Sequence, residues 1–288
     1  MKRFSGLIVF GLVMLFLFVL PGVSRAVVMV QSEKSISLES GARAITVSTN
    51  GRIIAVLLDT GKVNIYTGSG ELKGTIKVAF SSTDIAISPD GSILYVTDAK
   101  HKVLTVLKLD YIIKLDVSDS PFVKGFAGAP VTITVFSDFQ CPYCAKLGPL
   151  LQQVLKKYPK QVKLVYKFLP LPSIHKFAMQ AAIAAQAAGK QGKFWEYHDG
   201  LLAAYQELSE KKLVEIGKKV GLNINQFMAN RKDPRLINRV RKDMKEAHDN
   251  QVNSVPSVFI NGRKLKRRTL GSFDHAITSE LYRLGIQK

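Results

Sequence analysis

Two cysteines separated by two residues are the part of this sequence best suited to covalent chemistry. Cys141 and Cys144 are the only cysteines in the 288 residues, so no second pair exists to complete a four-ligand zinc site. None of the five histidines is paired with another at zinc-ligand spacing. A disulfide that closes so short a loop removes little entropy from the unfolded chain, which disfavours a purely structural bridge. The spacing therefore predicts a redox-active disulfide, Cys141–Cys144, with no metal and no other cofactor.

The residues around the cysteines predict a strand before them and a helix after them. Residues 131–136 are a β-branched apolar run typical of a buried strand, and apolar residues recur at helical spacing within residues 146–158. The first cysteine then lies at a helix N-terminus, where free N–H groups and the helix dipole lower the pKa of a thiol. Pro142 costs the helix no hydrogen bond, because N–H groups of the first turn have no partner within the helix. The resulting thiolate is the species that attacks a disulfide.

The rest of the C-terminal half predicts further strands and helices. A second strand covers residues 162–168, and helical patterns fill residues 175–251. A proline turn, a strand and a hairpin turn follow in residues 254–262, and a closing helix covers residues 272–284. This order predicts an α/β thioredoxin fold with an inserted helical subdomain at about residues 173–252, preceded by a small all-β domain of two blade-like repeats.

Four motifs occur in this half in a fixed order. They are residues 129–144 with Cys-Pro-Tyr-Cys, residues 168–171 with His175, residues 191–196, and Val255-Pro256 before residues 259–262. Together they span about residues 120–285 and resemble the DsbA-like thioredoxin family, in the branch of BdbD-type proteins.

The resemblance implies a role for the cysteines and for the proline turn. Cys141 would be the exposed nucleophile that forms a mixed disulfide with a client protein, and Cys144 would be its buried resolving partner. Pro256 would follow a cis peptide bond, and the backbone of Val255 would pair with the bound client peptide beside Cys141.

The resemblance also implies roles for residues near the redox pair. Pro142 and Tyr143 would tune the redox poise. Phe194, Trp195 and His175 would belong to the helical subdomain, with packing roles rather than substrate contact or acid–base chemistry.

One position departs from the thioredoxin pattern. Many thioredoxin-fold proteins place a buried acid six residues before the nucleophile, and here that residue is Val135. Asp138 is the nearest acid, and an aspartate in such a turn caps it. No proton shuttle is therefore assigned from the sequence.

The N-terminal half contains an internal repeat. Residues 44–56 align with residues 84–96, and each copy has alternating apolar residues on both sides of an Asn-Gly or Asp-Gly pair, which predicts a hairpin. A second pair of strands is predicted in each copy, around residues 63–67 and 103–108. The repeats resemble β-propeller blades of the WD40 or NHL kind. Two blades cannot close a ring, so either an interaction or dimerisation module or a simple spacer remains open.

The first residues have the pattern of a secretory signal peptide. Lys2 and Arg3 precede an apolar run over residues 6–20, and Ser24 and Ala26 are small residues at a cleavage site. A run of about fifteen residues is shorter than the roughly twenty that span a bilayer, which favours cleavage over an uncleaved anchor. The predicted divisions are a signal peptide at 1–26, a β domain at 27–116 and a DsbA-like domain at 117–288. The expected location is periplasmic or secreted.

The formal net charge of +19 does not by itself indicate a nucleic-acid partner. The densest basic cluster, residues 263–268, lacks aromatic interleaving or a nucleic-acid-binding motif. A solvated basic strand and loop is the expectation there.

The expected partners are exported client proteins with cysteines and a membrane redox partner that recycles the active site. The DsbA resemblance favours net oxidation of clients. Two alternatives stay open: a disulfide isomerase or reductase of the DsbC or DsbG type, which would form a homodimer through the N-terminal domain, and an assembly factor dedicated to a single client.

Overall fold

The chain divides into two units between Lys108 and Leu109 in the computed structural model, which describes residues 34–118 and 120–286. The division falls before the predicted boundary at 116/117. The predicted signal peptide at 1–26 lies outside the described residues, as do residues 27–33 of the predicted β domain. None of the described helices combines the length and apolar character that a membrane crossing requires.

The described part of the first unit contains strands in two antiparallel sheets. The first sheet has the order β1-β2-β3-β4, from β1 (Ala42–Val47), β2 (Ile53–Leu58), β3 (Lys62–Thr67) and β4 (Leu72–Lys77). The second sheet has the order β5-β6-β7, from β5 (Asp84–Ile87), β6 (Ile93–Asp98) and β7 (Val103–Lys108). The unit is therefore all-β in the part that the structure describes.

The two repeats share one turn geometry, which explains their common sequence pattern. The hydroxyls of Ser48 and Ser88 each accept a hydrogen bond from the N–H five residues later, at 3.0 and 2.9 Å. Gly51 and Gly91 have φ angles of 66° and 75°, in the left-handed region that glycine adopts without strain. The two hairpins predicted at these turns are confirmed.

The β-propeller resemblance is not supported. The described strands form two open sheets rather than a ring, and the second repeat has three strands where two pairs were predicted. A fourth strand does not form among the described residues of this repeat because the chain passes into the second unit after Lys108, where Ile112 forms a β-bridge with Arg263.

The second unit has a central sheet with the order β12-β11-β9-β10-β8. Its strands are β8 (Val123–Gly125), β9 (Val131–Ser137), β10 (Val162–Phe168), β11 (Ser257–Ile260) and β12 (Arg263–Lys264). Strands β9 and β10 are parallel, and β8, β11 and β12 each run antiparallel to the strand they join. The predicted strand at residues 162–168 is confirmed.

Helices cover both faces of this sheet. They are α1 (Pro142–Lys157), α2 (Ala178–Gly189), α3 (Phe194–Ala203), α4 (Glu210–Lys219), α5 (Ile224–Asn230), α6 (Pro234–Asp249) and α7 (Leu270–Arg283). Helices α2 to α6 all lie between β10 and β11, the place of the predicted helical subdomain. Helix α1 begins at Pro142, in the first turn as expected, and contains most of the helical pattern at residues 146–158.

The helices that follow the cysteines are held by two cores. Apolar side chains of α1 and α7, such as Leu147, Leu151 and Phe273, pack on Ile133 of β9. The helical subdomain packs on β10 through a second, aromatic-rich cluster that includes Cys141 and Cys144. The redox motif is thus anchored on one side by the sheet and on the other by α2 and α3.

The opposite face of β10 carries a buried cation. The side chain of Lys167 is 1% exposed, and its Nζ lies 2.7 Å from Glu246 Oε2 and 3.4 Å from Asp243 Oδ1, both on α6. Asp243 also accepts the backbone N–H of Phe168 at 3.0 Å, while burial raises the pKa of this carboxyl. A buried charge is tolerated when it is paired in this way, so the group ties α6 to the sheet.

The basic cluster at residues 263–268 begins in β12 and continues into a loop. Its charged residues after Arg263 are exposed, and Arg263 itself forms ion pairs with Asp110 and Glu280 at 3.1 and 2.9 Å. This arrangement matches the expected basic strand and loop.

Candidate active site

The two cysteines lie where β9 ends and α1 begins. Cys141 is the N-cap residue of α1, with φ −78° and ψ 121°, and Pro142 is the first helical residue. No side chain caps this helix end, and the backbone N–H groups of Tyr143 and Cys144 face the Cys141 sulfur. The strand-to-helix position predicted for the motif is confirmed.

Cys141 is placed to ionise near neutral pH. The pKa of its thiol is lowered to about 6, chiefly by a hydrogen bond from the Cys144 thiol and then by the N–H groups of Cys144 and Tyr143. Burial and the negative charge of Asp138 oppose this shift and are outweighed. Cys141 is consequently a thiolate at pH 7 when the pair is reduced.

Cys144 has the opposite character. It is 2% exposed, and burial raises the pKa of its thiol far above the ordinary value. Its sulfur accepts the backbone N–H of Asp138 at 3.5 Å. A thiolate beside a protonated, buried thiol suits thiol–disulfide exchange. One sulfur attacks or leaves as the thiolate, and the other stays a protonated thiol until the mixed disulfide has to be resolved.

The first prediction concerns the ionisation of Cys141. The rate at which the reduced chain reacts with iodoacetamide at Cys141 should rise with pH around a midpoint near 6. In Cys144→Ala the midpoint should move to higher pH, because the largest stabilising hydrogen bond is lost. Alkylation rates followed by mass spectrometry measure both midpoints. An unchanged midpoint in the variant would contradict the assignment of that hydrogen bond.

One expectation about Cys141 is wrong. The residue was predicted to be exposed, and it is 4% exposed. It is covered because its sulfur lies 3.8 Å from the carbonyl oxygen of Val255, which accepts a hydrogen bond from the thiol in its protonated form.

The loop beside Cys141 is the predicted proline turn. The Val255–Pro256 peptide bond is cis, the predicted isomer. Strand β11 begins at Ser257 and pairs with Phe136 of β9, which brings the loop to the end of the strand that leads into the redox motif. Val255 is half-buried and Pro256 is buried.

The two residues between the cysteines differ in exposure. Pro142 is half-buried, while Tyr143 is 65% exposed, with Lys146 Nζ 6.0 Å from its ring centroid. Tyr143 therefore presents an aromatic surface next to the reactive sulfur.

A hydrogen-bond network under the redox turn could not be read from the sequence. The buried carboxylate of Asp138 accepts the N–H groups of Gln140 and Leu171 at 2.7 and 2.8 Å, and its Oδ2 lies 2.8 Å from His175 Nδ1. The side chain of Gln140 in turn accepts the N–H of Phe177 just before α2. Asp138 thus caps the turn as predicted, and it also links the turn to the segment that holds His175.

The aromatic residues of the motif at 191–196 lie in the core, as predicted. Phe194 is buried and its ring stacks on Phe122 with centroids 3.8 Å apart. Trp195 Nε1 donates to the carbonyl of Val123 at 3.2 Å. Within residues 34–118 and 120–286 no group of three or more histidine, cysteine, aspartate or glutamate side chains is arranged to hold a metal ion.

The second unit resembles proteins of known family and structure. A family model described as thioredoxin matches residues 118–279. The Na(+)/H(+) antiporter NhaA 3 of Salinispora tropica is 36% identical over 156 residues, which are 54% of this chain and 24% of the antiporter. NhaA 1 of Salinispora arenicola matches with the same figures. The chain therefore spans about a quarter of the length of these curated relatives, 24% in each case.

Solved structures share the fold of the second unit. A thioredoxin-like oxidoreductase from Silicibacter pomeroyi DSS-3 has a TM-score of 0.50 and 26% identity, covering 55% of this chain and 90% of that one. BdbD from Bacillus subtilis in its oxidised form has a TM-score of 0.52 and 19% identity, with 60% and 98% covered. A periplasmic thioredoxin-like protein from Salmonella enterica serovar Typhimurium has a TM-score of 0.50 and 20% identity, with 58% and 93% covered.

Proposed function

The chain belongs to the thioredoxin family, and we propose that it is an exported thiol–disulfide oxidoreductase that forms disulfides in client proteins through Cys141 and Cys144. The observation that carries the proposal is the contrast between the two thiols. The pKa of Cys141 is lowered to about 6 at a helix N-terminus, while burial raises the pKa of Cys144. Stabilising the thiolate stabilises the reduced pair, which makes the disulfide form a stronger oxidant.

The exchange proceeds in two steps from the Cys141–Cys144 disulfide. A client thiolate attacks the Cys141 sulfur, and Cys144 leaves with the electron pair of the broken bond and takes up a proton. A second client thiol, once deprotonated, then attacks the client sulfur of the mixed disulfide and releases Cys141 as a thiolate. The client gains a disulfide and the enzyme pair is reduced. No cofactor beyond the disulfide itself is needed.

The groups around Cys141 suit a client peptide in extended form. The Val255 carbonyl, 3.8 Å from the Cys141 sulfur, would accept an N–H of the client backbone once the disulfide has formed and the thiol no longer occupies it. The exposed ring of Tyr143, two residues after Cys141, offers the client an apolar contact. Pro142 and Tyr143 set the redox poise through their position in the first turn of α1.

The proposed oxidase would be exported, and its reduced cysteine pair would be re-oxidised after each reaction. The pattern of residues 1–26 would direct the chain to the periplasm or outside the cell, where disulfide formation is in demand. The Salmonella protein of similar fold is described as periplasmic. A membrane redox partner would return the reduced pair to the disulfide.

One observation favours a dimeric isomerase as the second candidate. The first unit exposes large apolar side chains on its strands, namely Ile45, Val47, Leu72, Val103, Leu104 and Val106. A second copy would cover such residues, and a dimeric isomerase or reductase would be kept reduced by its partner. An assembly factor dedicated to one client would use the same surface to hold that client.

The state of the cysteines in living cells separates these functions. Cells quenched with acid and then alkylated should yield the chain mainly with a disulfide between Cys141 and Cys144, because the recycling partner keeps an oxidant in its disulfide form. Cells treated with a reductant before quenching give the matched reduced control. A mainly reduced pair in untreated cells would contradict the oxidase proposal and favour the isomerase or reductase.

A further inference from the structure

A small cavity reaches Cys144 but not Cys141. Its volume is about 30 Å³, and the residues with polar or sulfur groups that line it are Lys124, Ser137, Cys144, Gln152, Tyr166, Trp195, His198 and Asp199. A cavity that holds a water needs about 10–15 Å³ and several polar partners, and both conditions are met here. The cavity therefore offers water a place beside the otherwise sealed Cys144 thiol.

The position that would normally supply a proton acceptor for Cys144 is apolar. Val135, six residues before Cys141, lines this same cavity. The carboxylate of Asp138 is engaged by Gln140, Leu171 and His175, and only its backbone N–H faces the Cys144 sulfur. Burial raises the pKa of Cys144, so another group must take its proton when this thiol has to attack.

His198 on α3 has the properties of that group. Its Nδ1 lies 2.8 Å from Asp199 Oδ1, and a proton on Nδ1 leaves Nε2 as an acceptor. Its ring is packed edge-on to Tyr166 and tilted towards Trp195, with centroids 5.0 and 5.2 Å apart. Burial lowers the pKa of His198, while Asp199 opposes the shift, so the ring is neutral at pH 7 and able to accept a proton.

Tyr166 supplies a second polar group in the cavity. Its side chain is buried, and its hydroxyl lies beside the Ser137 hydroxyl without a well-formed hydrogen bond among the residues that the structure describes. Buried hydroxyls are almost always bonded to protein or to ordered water. Tyr166, Ser137 and Cys144 all line this cavity, which is large enough to hold water.

We infer that His198 exchanges a proton with Cys144 through water held by the Tyr166 hydroxyl in this cavity. The inference rests on the proposed exchange reaction. When Cys144 resolves a mixed disulfide, its proton passes through the water to His198, and the imidazolium is stabilised by Asp199. The Cys144 thiolate then attacks the Cys141 sulfur, the Cys141–Cys144 bond forms, and the other thiol leaves with the electron pair of the broken bond. In client oxidation the same proton returns to Cys144 as it leaves.

When the reduced chain reacts with Ellman's reagent, the two cysteines should react in two successive phases. Cys141 attacks first and releases one coloured thiolate, and Cys144 then attacks the mixed disulfide and releases the second. His198→Phe and, to a lesser degree, Tyr166→Phe should slow the second phase while leaving the first unchanged. The expected loss for His198→Phe is about a hundredfold at neutral pH, the lower end of what a positioned acid or base contributes.

The pH dependence of the second-phase rate distinguishes a role of His198 in proton transfer from a role in packing. The titratable groups beside His198 are Asp199 on α3, Lys124 on β8 and Tyr166 on β10, and Cys144 on α1 lines the same cavity. In the wild-type chain the second phase should level off above the pKa of His198. In His198→Phe it should instead rise in proportion to hydroxide. His248→Phe, at an exposed histidine of α6, is the matched control and should behave as wild type.

The outcomes separate this inference from the proposed function. A single slow phase in the wild-type chain, with no second release, would contradict the exchange chemistry itself. Two phases in the wild type with an unaltered second phase and pH profile in both variants would overturn the role of His198. Tyr166→Phe removes only the hydroxyl and keeps the buried ring, so a slower second phase without loss of thermal stability supports the water path.

Discussion

Cys144→Ala is expected to accumulate covalent complexes between this chain and its clients. Cys141 stays nucleophilic in the variant, because the substitution leaves the backbone N–H groups of residues 143 and 144 at the helix N-terminus. The variant lacks the second sulfur that resolves the mixed disulfide, so each complex lasts until another thiol reaches it. Because Cys144 is 2% exposed, its truncation should cost about 1 kcal/mol of stability, the scale for one buried methylene-sized group.

The complexes are detected by non-reducing electrophoresis of cell extracts quenched with acid, followed by mass spectrometry of the bands. They should disappear on reduction. The double variant Cys141→Ser with Cys144→Ala is the matched control and should form none. Bands that persist in the double variant, or their absence in Cys144→Ala, would contradict the assignment of Cys141 as the nucleophile. A single client in all complexes would favour a dedicated assembly factor.

Cys141→Ser is expected to abolish disulfide exchange and to leave the fold intact. Serine is nearly the same size and keeps the N-cap position, and the cost to stability should be small because the side chain contributes no cap hydrogen bond. Its hydroxyl does not ionise near neutral pH and forms no disulfide, so the covalent intermediate is lost. Removal of a covalent nucleophile lowers enzyme rates by more than about a thousandfold.

The measurement for this variant is the rate of disulfide formation in a reduced, unfolded protein with two cysteines, with glutathione disulfide as the terminal oxidant. Thermal unfolding in the presence of a reductant checks that the variant is folded. Exchange within tenfold of the wild-type rate in a folded variant would show that Cys141 is not the reacting sulfur.

The parts of the fold that depend on local sequence were predictable. The serine and glycine of each hairpin, Ser48 with Gly51 and Ser88 with Gly91, act within a few residues of one another, and both turns formed as expected. The same holds for the start of α1, because Pro142 at its first position is a local signal.

Features that join distant segments were missed. The contact of Asp138 with His175 spans 37 residues, and the ion pairs of Lys167 with Asp243 and Glu246 join a strand to a helix far along the chain. No spacing rule connects such residues. Lys167 also interrupts the apolar pattern of β10, because a charged residue in a strand is normally predicted to be exposed.

The burial of Cys141 and the cavity beside Cys144 both depend on residues that lie far apart in sequence. The Val255 carbonyl lies 114 residues from Cys141 in sequence, and only the pairing of β11 with β9 brings it close. His198 was one of several aromatic and polar residues in α3 with nothing local to distinguish it. Val135 stands where many thioredoxin-fold proteins have an acid, and on that ground no proton shuttle was assigned from the sequence.

The central claim is that the Cys141–Cys144 disulfide passes directly to client cysteines, and a stoichiometric exchange without any other oxidant tests it. The purified chain in its disulfide form is mixed with a reduced, unfolded protein that has two cysteines. The mixture is quenched with acid and alkylated, and the masses of both proteins are measured by mass spectrometry. One new client disulfide should appear for each Cys141–Cys144 pair that becomes reduced, with Cys141→Ser inactive. A chain that keeps its disulfide while the client stays fully reduced would contradict the account.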